Sequence, residues 1–331
     1  MNVILQQDAL CALRSSPKRS GGLCAPPTIR GDRHVEARCR GAAVVMAMLV
    51  VAITAGLVAG VFWRQNVLIR QAENELAYAQ ARWLLRGAID WAGVILREDG
   101  RTSSVDHLGE AWAVPLADTR LNEDDGRPPL YLAGQVQDAQ AKFNLNNIAV
   151  STGIVERELA TFRRLLGIVG LNDALAEAVA TRVRDSVSRG GAQSPSLLAI
   201  ASVDDLLTVD GVTPEVVERL RPFVAALPAP TAVNANTAPA EVLAARIANL
   251  SLADARRLIA SRDRAHFLNR ADVLGRLGSV QLVAGEDEIA VATRYFLVNG
   301  AVSYGRARLR AEALVRRDGN RVEALWLREA A

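Results

Sequence analysis

The amino-acid sequence predicts an α+β protein in which a long N-terminal helix leads into an antiparallel sheet that is interrupted by a large all-α insertion. Three observations predict this fold class. An uncharged apolar run continues into a proline-free segment with helical spacing. Strand patterns occur near residue 130 and again after residue 292, and residues 152–288 between them have helical spacing. The 331 residues are enough to bury such a composite body.

The N-terminal helix begins with an apolar run at residues 42–63, which contains no charged side chain. These 22 residues would form about 33 Å of helix, which matches a hydrocarbon core of about 30 Å. A buried core helix and a secretory signal peptide are the alternatives, but the run is long for a signal peptide and the helical pattern continues beyond it. We therefore expect one span of a bacterial inner membrane, with the N-terminus in the cytoplasm and the body in the periplasm.

Residues 64–98 are expected to continue the same helix as an amphipathic half. The segment contains no proline. Its apolar side chains recur every three or four residues, at Leu76, Tyr78 or Ala79, Trp83, Gly87 or Ala88, Trp91 and Ile95. We expect this stripe to lie on a soluble domain.

Residues 1–41 form a basic leader, with seven Lys and Arg against three Asp and Glu. All three cysteines, Cys11, Cys24 and Cys39, lie within it. We expect this segment to be removed by processing, or to reflect an upstream start codon assigned in error. Because the whole chain has a formal net charge of +3, the remainder is close to neutral and is not expected to bind a phosphate backbone. The remainder also has no cysteine with which to form a disulfide.

The body is expected to consist of residues 99–151 and 289–331, which form the sheet domain in two parts, and of an inserted helical domain at residues 152–288. Strands are expected at 130–138, 141–145, 295–304, 307–316 and 321–327, with a tight turn at Asp318-Gly319-Asn320. Helices are expected at 155–166, 172–187, 214–227, 239–249 and 252–262, with Thr213 and Thr237 as capping signals.

No pattern of an enzyme is present. The sequence contains no GxSxG, Walker loop or dinucleotide fingerprint. The three histidines, His34, His107 and His266, are far apart in sequence, so a zinc site is not expected either, although His107 and Glu110 have a spacing that would place them on one helical face.

The basic leader ending in Gly41, the apolar run and the amphipathic extension together resemble type IV pilins and the pseudopilins of type II secretion. Three further segments resemble the minor pseudopilin K family (general secretion pathway protein K) in particular. These three segments, called the family segments below, are residues 106–113, 134–147 and 233–243. The leader is longer than is usual in that family.

The resemblance implies a pseudopilin fold that carries a large α-domain, cleavage by a membrane peptidase between Gly41 and Ala42, and N-methylation of Ala42. Most pseudopilins have Glu at the fifth mature position, where it pairs with the terminal ammonium of a neighbour. Met46 occupies that position here, and lack of the Glu distinguishes the K family.

The function that the resemblance implies is that of a structural subunit at the tip of the periplasmic pseudopilus, which supports protein export across the outer membrane. The implied partners are the I-type and J-type minor pseudopilins and the inner-membrane secretion platform. No cofactor is certain. Calcium is a possible one, because relatives bind calcium. The candidate calcium ligands lie in two acidic runs, Asn122, Glu123, Asp124 and Asp125, and Glu286, Asp287 and Glu288.

The alternative function is that of a membrane-anchored DNA-binding or DNA-uptake protein. Residues 203–220 and 234–243 resemble the helix-hairpin-helix (SAM-like) units of such proteins. However, the segment from Gly211 to Thr213 lacks the second glycine of a DNA-binding hairpin, and Asp204, Asp205 and Asp210 would repel phosphate. We therefore do not expect nucleic-acid binding.

Overall fold

The computed structural model of the protein describes residues 36–123, 128–187, 198–277 and 288–330. Contacts divide the chain into two units between Leu68 and Ile69. The described residues of the first unit all belong to helix α1 (Glu36–Thr102). The second unit contains the remaining part of α1, the sheet and the other helices. Most of the predicted leader, residues 1–35, lies outside the described residues.

Helix α1 confirms the predicted continuous helix, because its 67 residues include both the apolar run and the amphipathic half. Non-β-branched residues with good helix propensity dominate its second half. The helix ends at Thr102. Two of its last carbonyls accept hydrogen bonds there, since the Thr102 hydroxyl donates to Glu98 O and the Ser103 amide donates to Asp99 O.

A five-stranded antiparallel sheet forms the base of the second unit, in the order β1-β2-β9-β10-β11. Its strands are β1 (Leu116–Arg120), β2 (Leu130–Asp138), β9 (Tyr295–Tyr304), β10 (Ala307–Asp318) and β11 (Arg321–Ala330). The structure confirms four of them as predicted strands. β1 was not predicted, because its five residues are all exposed and show no alternation of burial.

The remaining α-helices and short strands lie between β2 and β9 in the chain, and β2 and β9 are neighbours in the sheet. The helices are α2 (Glu156–Ile168), α3 (Leu175–Val187), α4 (Pro214–Leu220), α5 (Ala240–Arg246), α6 (Leu252–Arg262) and α7 (Arg270–Arg276). The short strands are β3 (Phe143–Asn144), β4 (Ala149–Val150), β5 (Gly153–Ile154), β6 (Val224–Ala225), β7 (Val233–Asn234) and β8 (Ile289–Ala290). β3 pairs with β6, and β7 with β8, both in parallel.

Three predictions in this region were wrong in detail. The strand expected at 141–145 is only two residues long, because 3₁₀ turns flank it, and it pairs with β6. α4 ends at Leu220, not at residue 227, since Pro222 cannot continue the helix. Thr237 does not cap α5, whose N-cap is Pro239. α7 was not predicted.

The inserted helices have a hydrophobic core of their own, which extends from Phe143 to Ile289 and includes Phe162, Leu165 and Phe267. Two smaller clusters lie between α1 and the sheet. A fourth cluster, with Ala225, Leu227, Tyr295 and Leu314, joins the insertion to the sheet. Strands and helices are therefore packed as a sheet domain and a separately cored insertion.

Candidate functional site

The residues predicted for processing and assembly lie on α1, in its apolar part. Gly41 and Ala42 are exposed, and Met46 is 65% exposed. Among the described helices, only Gly41–Thr102 is long and apolar enough to cross a membrane, and its most apolar window, with a mean hydropathy of 2.6, has no buried residue. The hydroxyl of Thr54 donates to Val50 O at 2.9 Å, so this polar group is satisfied within the helix. The exposed surface suits contact with lipid or with other apolar helices.

The amphipathic half of α1 packs on the sheet through Ala81, Leu85, Ile89, Ala92 and Leu96, all of which are buried. Their spacing of three or four residues confirms an amphipathic helix. The predicted face was nevertheless wrong, because the two tryptophans in the expected stripe lie outside the contact.

Trp83 is 72% exposed and Trp91 is 65% exposed. Smaller side chains allow the helix to approach β9 closely. A Cβ at Gly300 would lie only 2.8 Å from Leu85 Cδ1, so a residue with no side chain is required on the sheet at this crossing.

The C-terminal end of α1 is attached to β10 through the guanidinium of Arg317. Its Nη1 donates to Asp99 Oδ2 at 2.7 Å and to Leu96 O at 3.3 Å. Its Nη2 donates to Asp106 Oδ1 at 2.5 Å and to Thr293 O at 3.2 Å. The guanidinium also lies 4.9 Å from the centre of the Phe296 ring. One side chain thus joins the helix, the first family segment, the sheet and the segment that precedes β9.

Burial changes the acidity of the carboxyl groups in this cluster. Burial raises the pKa of Asp99 to about 6, although its hydrogen bond to Arg317 acts in the opposite direction. Burial also raises the pKa of Asp106, against the Thr293 amide and the charge of Arg317. The positive charge of Arg317 therefore offsets part of the effect that burial has on the pKa of both carboxyl groups.

The three family segments meet at a buried polar network. Asn234 Nδ2 donates both to Asp106 O at 3.1 Å and to Asp138 Oδ2 at 2.8 Å. Asp138 also accepts from Thr237 Oγ1 at 2.6 Å and from the Gln140 amide at 2.7 Å. Burial raises the pKa of Asp138 to about 6 in spite of these donors. The network connects segments far apart in the chain and fixes the insertion to the sheet domain.

The asparagines of the family segments fix neighbouring loops in the same way. Asn144 Oδ1 accepts from the Leu227 amide, and Asn147 Oδ1 accepts from the Thr231 amide. Asn236 exchanges two hydrogen bonds with the backbone of Phe267. Buried asparagine amides thus satisfy loop backbone that has no partner in a regular element.

One group of carboxylates has the separation that a metal ion needs. The candidate ligand atoms of Asp99, Asp106 and Glu110 lie within 4.8 Å of one another. Arg317 already bonds to the first two, and Glu110 Oε2 accepts from Trp112 Nε1 at 2.7 Å and from the His107 amide at 3.0 Å. The chain's own donors therefore satisfy this group of oxygens.

The predicted calcium ligands are only partly described. Asn122 closes the loop between β1 and β2, since its Oδ1 accepts from the Leu130 amide and its Nδ2 donates to Pro128 O. Glu123 is exposed. Glu288 is buried, and it pairs with Arg157 at 2.6 Å. The remaining candidates, Asp124, Asp125, Glu286 and Asp287, lie outside the described residues, so the calcium site stays a prediction.

The hairpin that resembles DNA-binding units consists of a 3₁₀ turn (Val203–Thr208) and α4, joined through Gly211 at a φ of 83°. The Val212 amide donates to Val209 O, and Asp205 accepts from the Ala201 and Ser202 amides. Asp204 pairs with Arg221 at 2.6 Å. The backbone amides of this hairpin are hydrogen-bonded within the hairpin, and carboxylates lie beside them. The hairpin is therefore not suited to bind phosphate.

Sequence reasoning missed Arg317, Asp99 and Thr293. A signal for Arg317 was present, since the inward-facing positions of β10 alternate and Ala311, Ala313 and Val315 lead to residue 317. We found no signal for Asp99, because an acidic residue near a helix end is common on protein surfaces.

Known proteins resemble the chain in both sequence and fold. Two family models, each described as protein K of the type II secretion system (T2SS), match residues 141–229 and 233–292. Type II secretion system protein K of Pseudomonas aeruginosa is 31% identical over 291 residues, which cover 81% of this chain and 86% of that protein. Type II secretion system protein K of Pectobacterium carotovorum is 26% identical over 325 residues, which cover 88% of this chain and 96% of that protein.

A solved structure has the same fold. It is the crystal structure of the GspK-GspI-GspJ complex from the type 2 secretion system of enterotoxigenic Escherichia coli. The match has a TM-score of 0.63 at 20% sequence identity and covers 79% of this chain and 99% of that chain.

Proposed function

Because the chain belongs to the type II secretion system protein K family, we propose that it is a structural subunit at the tip of the periplasmic pseudopilus and that it supports protein export across the outer membrane. The observation that carries the proposal is the division of α1. Its first half presents an exposed apolar surface, and its second half is fixed to the sheet by Leu85, Leu96 and Arg317. A helix of this kind can anchor a subunit in a membrane and also hold it in a filament.

Met46 and the insertion support the proposed tip position. A subunit with Met46 has no carboxylate at that position for the terminal ammonium of a neighbour, so it need not be added beneath another subunit. The insertion is bulky and is fixed to the sheet domain through Asn234 and Asp138. It would therefore obstruct a subunit stacked above it. The proposed partners are the I-type and J-type pseudopilins and the inner-membrane platform.

The proposed maturation is cleavage between Gly41 and Ala42, followed by N-methylation of Ala42, in a single-pass protein of the inner membrane with its body in the periplasm. The mature chain would then consist of the membrane half (42–63), the amphipathic half (64–98), the two parts of the pseudopilin domain (99–151 and 289–331) and the inserted domain (152–288). Calcium bound by one of the two acidic runs would add a clamp to a chain that has no cysteine after Cys39.

The experiment that tests this function has two parts. N-terminal sequencing of the protein from the membrane fraction should give N-methylated Ala42, and the chain co-expressed with its I-type and J-type pseudopilins should co-purify with them from detergent. Cleavage within residues 42–63, or a wild-type chain that purifies alone, would contradict the proposal.

A further inference from the structure

A cavity with a volume of about 410 Å³ lies where the insertion meets the face of the sheet that is turned away from α1. On β10, Ala311, Ala313 and Val315 belong to the apolar clusters between α1 and the sheet. Because successive side chains of a strand alternate between its two faces, Glu312 and Leu314 point to the opposite face, and both line the cavity. This cavity is called the junction cleft below.

The floor of the junction cleft crosses four neighbouring strands of the sheet. One row of the floor takes a residue from each of β2, β9, β10 and β11, and these are Gln137, Leu297, Leu314 and Trp326. Neighbouring strands lie about 4.8 Å apart, so this row is about 14 Å long, which is the length of about four residues of extended chain. Leu227 of the insertion lines the opposite wall. The cleft therefore has the dimensions of a short polypeptide segment.

Six charged side chains line the junction cleft, and three of them form ion pairs at 2.6 or 2.7 Å. The other three form no ion pair with any residue that the structure describes, and these are Lys142, Glu312 and Arg328. Arg328 lies against an aromatic ring, and its guanidinium also donates to Ala201 O at 3.4 Å. The cleft thus offers one ammonium group and one carboxylate group to a ligand.

The ammonium group of Lys142 is only partly satisfied. Its Nζ donates to Arg221 O at 2.9 Å, which leaves two of its three donor hydrogens without a partner in the described parts of the chain. Burial lowers the pKa of Lys142, although the charge of Glu312 acts in the opposite direction. Glu312 is itself partly buried, and its carboxylate accepts no hydrogen bond from a described residue. Both groups can therefore bond to a ligand.

These two opposite charges favour a ligand that is uncharged and polar. An anion in the cleft is attracted by Lys142 but repelled by Glu312, and for a cation the two effects are reversed. A peptide group satisfies both side chains, because its carbonyl accepts from the ammonium group and its N–H donates to the carboxylate. Since a buried charge without a partner costs free energy, both side chains favour a ligand with main-chain amides.

The ring of Trp326 does not favour an aromatic or sugar ligand that would stack on it. The guanidinium of Arg328 lies 4.5 Å from the centre of this ring and covers one of its faces. The other apolar surface of the cleft is aliphatic and includes Leu297 and Leu314 in the floor and Leu227 in the opposite wall. Such a surface is complementary to aliphatic side chains.

We propose that the junction cleft binds an extended, uncharged segment of another protein, about four residues long. The carbonyl groups of this segment accept from Lys142, its amide groups donate to Glu312, and its aliphatic side chains pack between Leu314 and Leu227. The proposal rests on the cleft itself and is independent of the proposed function. It gives the boundary between the insertion and the sheet domain a role in recognition as well as in joining the two.

The first test asks which class of peptide the full chain binds. The probe is a pool of synthetic hexapeptides that are acetylated and amidated, so that their termini carry no charge. One third have only uncharged side chains, one third contain a single Asp and one third contain a single Lys. The full chain is immobilised in detergent, and bound peptides are identified by mass spectrometry. We expect enrichment of uncharged peptides with dissociation constants below about 1 mM. Enrichment of a charged class, or of no peptide, would overturn the proposal.

A substitution in the floor locates the binding site. Gln137 is exposed, and its side chain donates only to Gln135 Oε1, so Gln137→Tyr should leave the fold intact and fill part of the cleft. Gln135→Tyr is the matched control, because Gln135 is exposed on the same face of β2 but does not line the cleft. We expect the selected peptides to bind Q137Y at least about tenfold more weakly than they bind the wild type. Equal binding to Q137Y and Q135Y would overturn the proposal.

Two further variants test the role of the charges, and their result does not depend on Q137Y. Lys142→Met leaves the carboxylate of Glu312 as the ligand-binding group, so the same pool should shift by about tenfold towards Lys-containing peptides. Glu312→Gln leaves the ammonium group of Lys142, so the pool should shift by a similar factor towards Asp-containing peptides. A variant that only damaged the cleft would bind all three classes more weakly. Selection that is the same in both variants as in the wild type would overturn the proposal.

Discussion

Arg317 Nη2 donates to Asp106 Oδ1 at 2.5 Å, although 211 positions separate the two residues. Both side chains are buried, with exposures of 9% and 2%. Asp106 opens the first family segment, and Arg317 is near the end of β10. Their contact therefore holds the end of α1, the first family segment and the sheet in one arrangement.

Loss of the Arg317 charge should strongly destabilise the fold. In Arg317→Met the buried carboxylates of Asp99 and Asp106 lose their cation, and we expect the free energy of unfolding to fall by about 3 kcal/mol. Urea denaturation of the full chain in detergent, followed by tryptophan fluorescence, measures this. The matched control is Arg308→Ala, an exposed arginine on the same strand, which should change stability by less than about 0.5 kcal/mol. Equal effects of the two variants would show that the cluster does not determine stability.

The raised pKa of Asp138 predicts a pH dependence with a definite sign. An unfolded aspartate titrates near about 3.9, whereas burial raises the pKa of Asp138 to about 6 in the fold. Between these values the folded chain binds the proton more tightly, so this group stabilises the fold at low pH and loses that contribution as the pH rises through about 6.

The measurement is the difference in unfolding free energy between the wild type and Asp138→Asn at pH 5 and pH 7. Because the other carboxyl groups titrate in both proteins, their contributions largely cancel. The difference should move in favour of the wild type as the pH falls. A difference that stays constant, or that moves in favour of the variant, would contradict the assigned shift.

The close crossing of α1 and β9 should make Gly300 intolerant of a side chain. In Gly300→Ala the new methyl group would lie 2.8 Å from Leu85 Cδ1, and we expect a loss of about 1–3 kcal/mol from overpacking. Gly93 on α1 is the matched control, because a Cβ there meets Val322 at an ordinary 3.5 Å. Gly93→Ala should leave stability unchanged or increase it by up to about 1 kcal/mol through helix propensity. Thermal unfolding of both variants measures their stability. A G93A variant less stable than G300A would contradict the prediction.

Arg246 and Glu158 form an ion pair inside the insertion. We expect the fold to tolerate replacement of both residues together better than replacement of Arg246 alone. Arg246 Nη1 donates to both oxygens of Glu158, at 2.7 and 2.8 Å, and the side chain of Arg246 is 1% exposed. Its Nε and Nη2 are buried without a partner among the described residues. Arg246→Met alone should cost about 3–5 kcal/mol, because it leaves the charge of Glu158 buried, whereas the double variant with Glu158→Leu should recover most of that loss. A double variant less stable than R246M would contradict this reasoning.

A glutamate restored at Met46 should disturb the proposed tip position. Met46→Glu would offer a carboxylate to the terminal ammonium of a neighbour, so that the subunit can be added beneath another. We expect export to fall severalfold and the subunit to be found along the filament. Met48→Glu is the matched control, since it carries a similar insertion cost of about 3 kcal/mol at a different position of the helix. Normal export and subunit order in M46E would show that the missing glutamate is incidental.

Local pattern was sufficient to predict α1 and the long strands β2, β9, β10 and β11. These elements have many residues that repeat one period, so the pattern outweighs individual exceptions. The face of α1 was mispredicted because Trp83 and Trp91 are the largest apolar residues of its amphipathic half, whereas close packing on β9 required the smaller Ala81, Leu85 and Ala92. The size of the α1 side chains where the helix crosses β9, rather than their hydrophobicity, determined which face of the helix is buried.

The polar network could be predicted only in part. The family segments marked Asp106, Asp138 and Asn234 as positions of interest, but their mutual contact depends on pairings that no local pattern encodes. β7 and β8 are two residues long, and their paired residues are 56 positions apart in the chain. Strands this short form because tertiary contacts hold them, so neither their register nor the side chains they bring together can be predicted from the sequence around them.

If the body crosses the membrane as proposed above, the pairing of β2 with β9 sets an order of events for its folding. β2 is complete at Asp138, but its partner begins at Tyr295, so the centre of the sheet cannot close until residues 139–294 have been translocated. Contacts between positions so distant form slowly. The insertion has its own core and can fold during that interval, bringing the two strands together. In that case translocation determines when the sheet domain matures, and until then the edge of β2 that pairs with β9 stays unpaired.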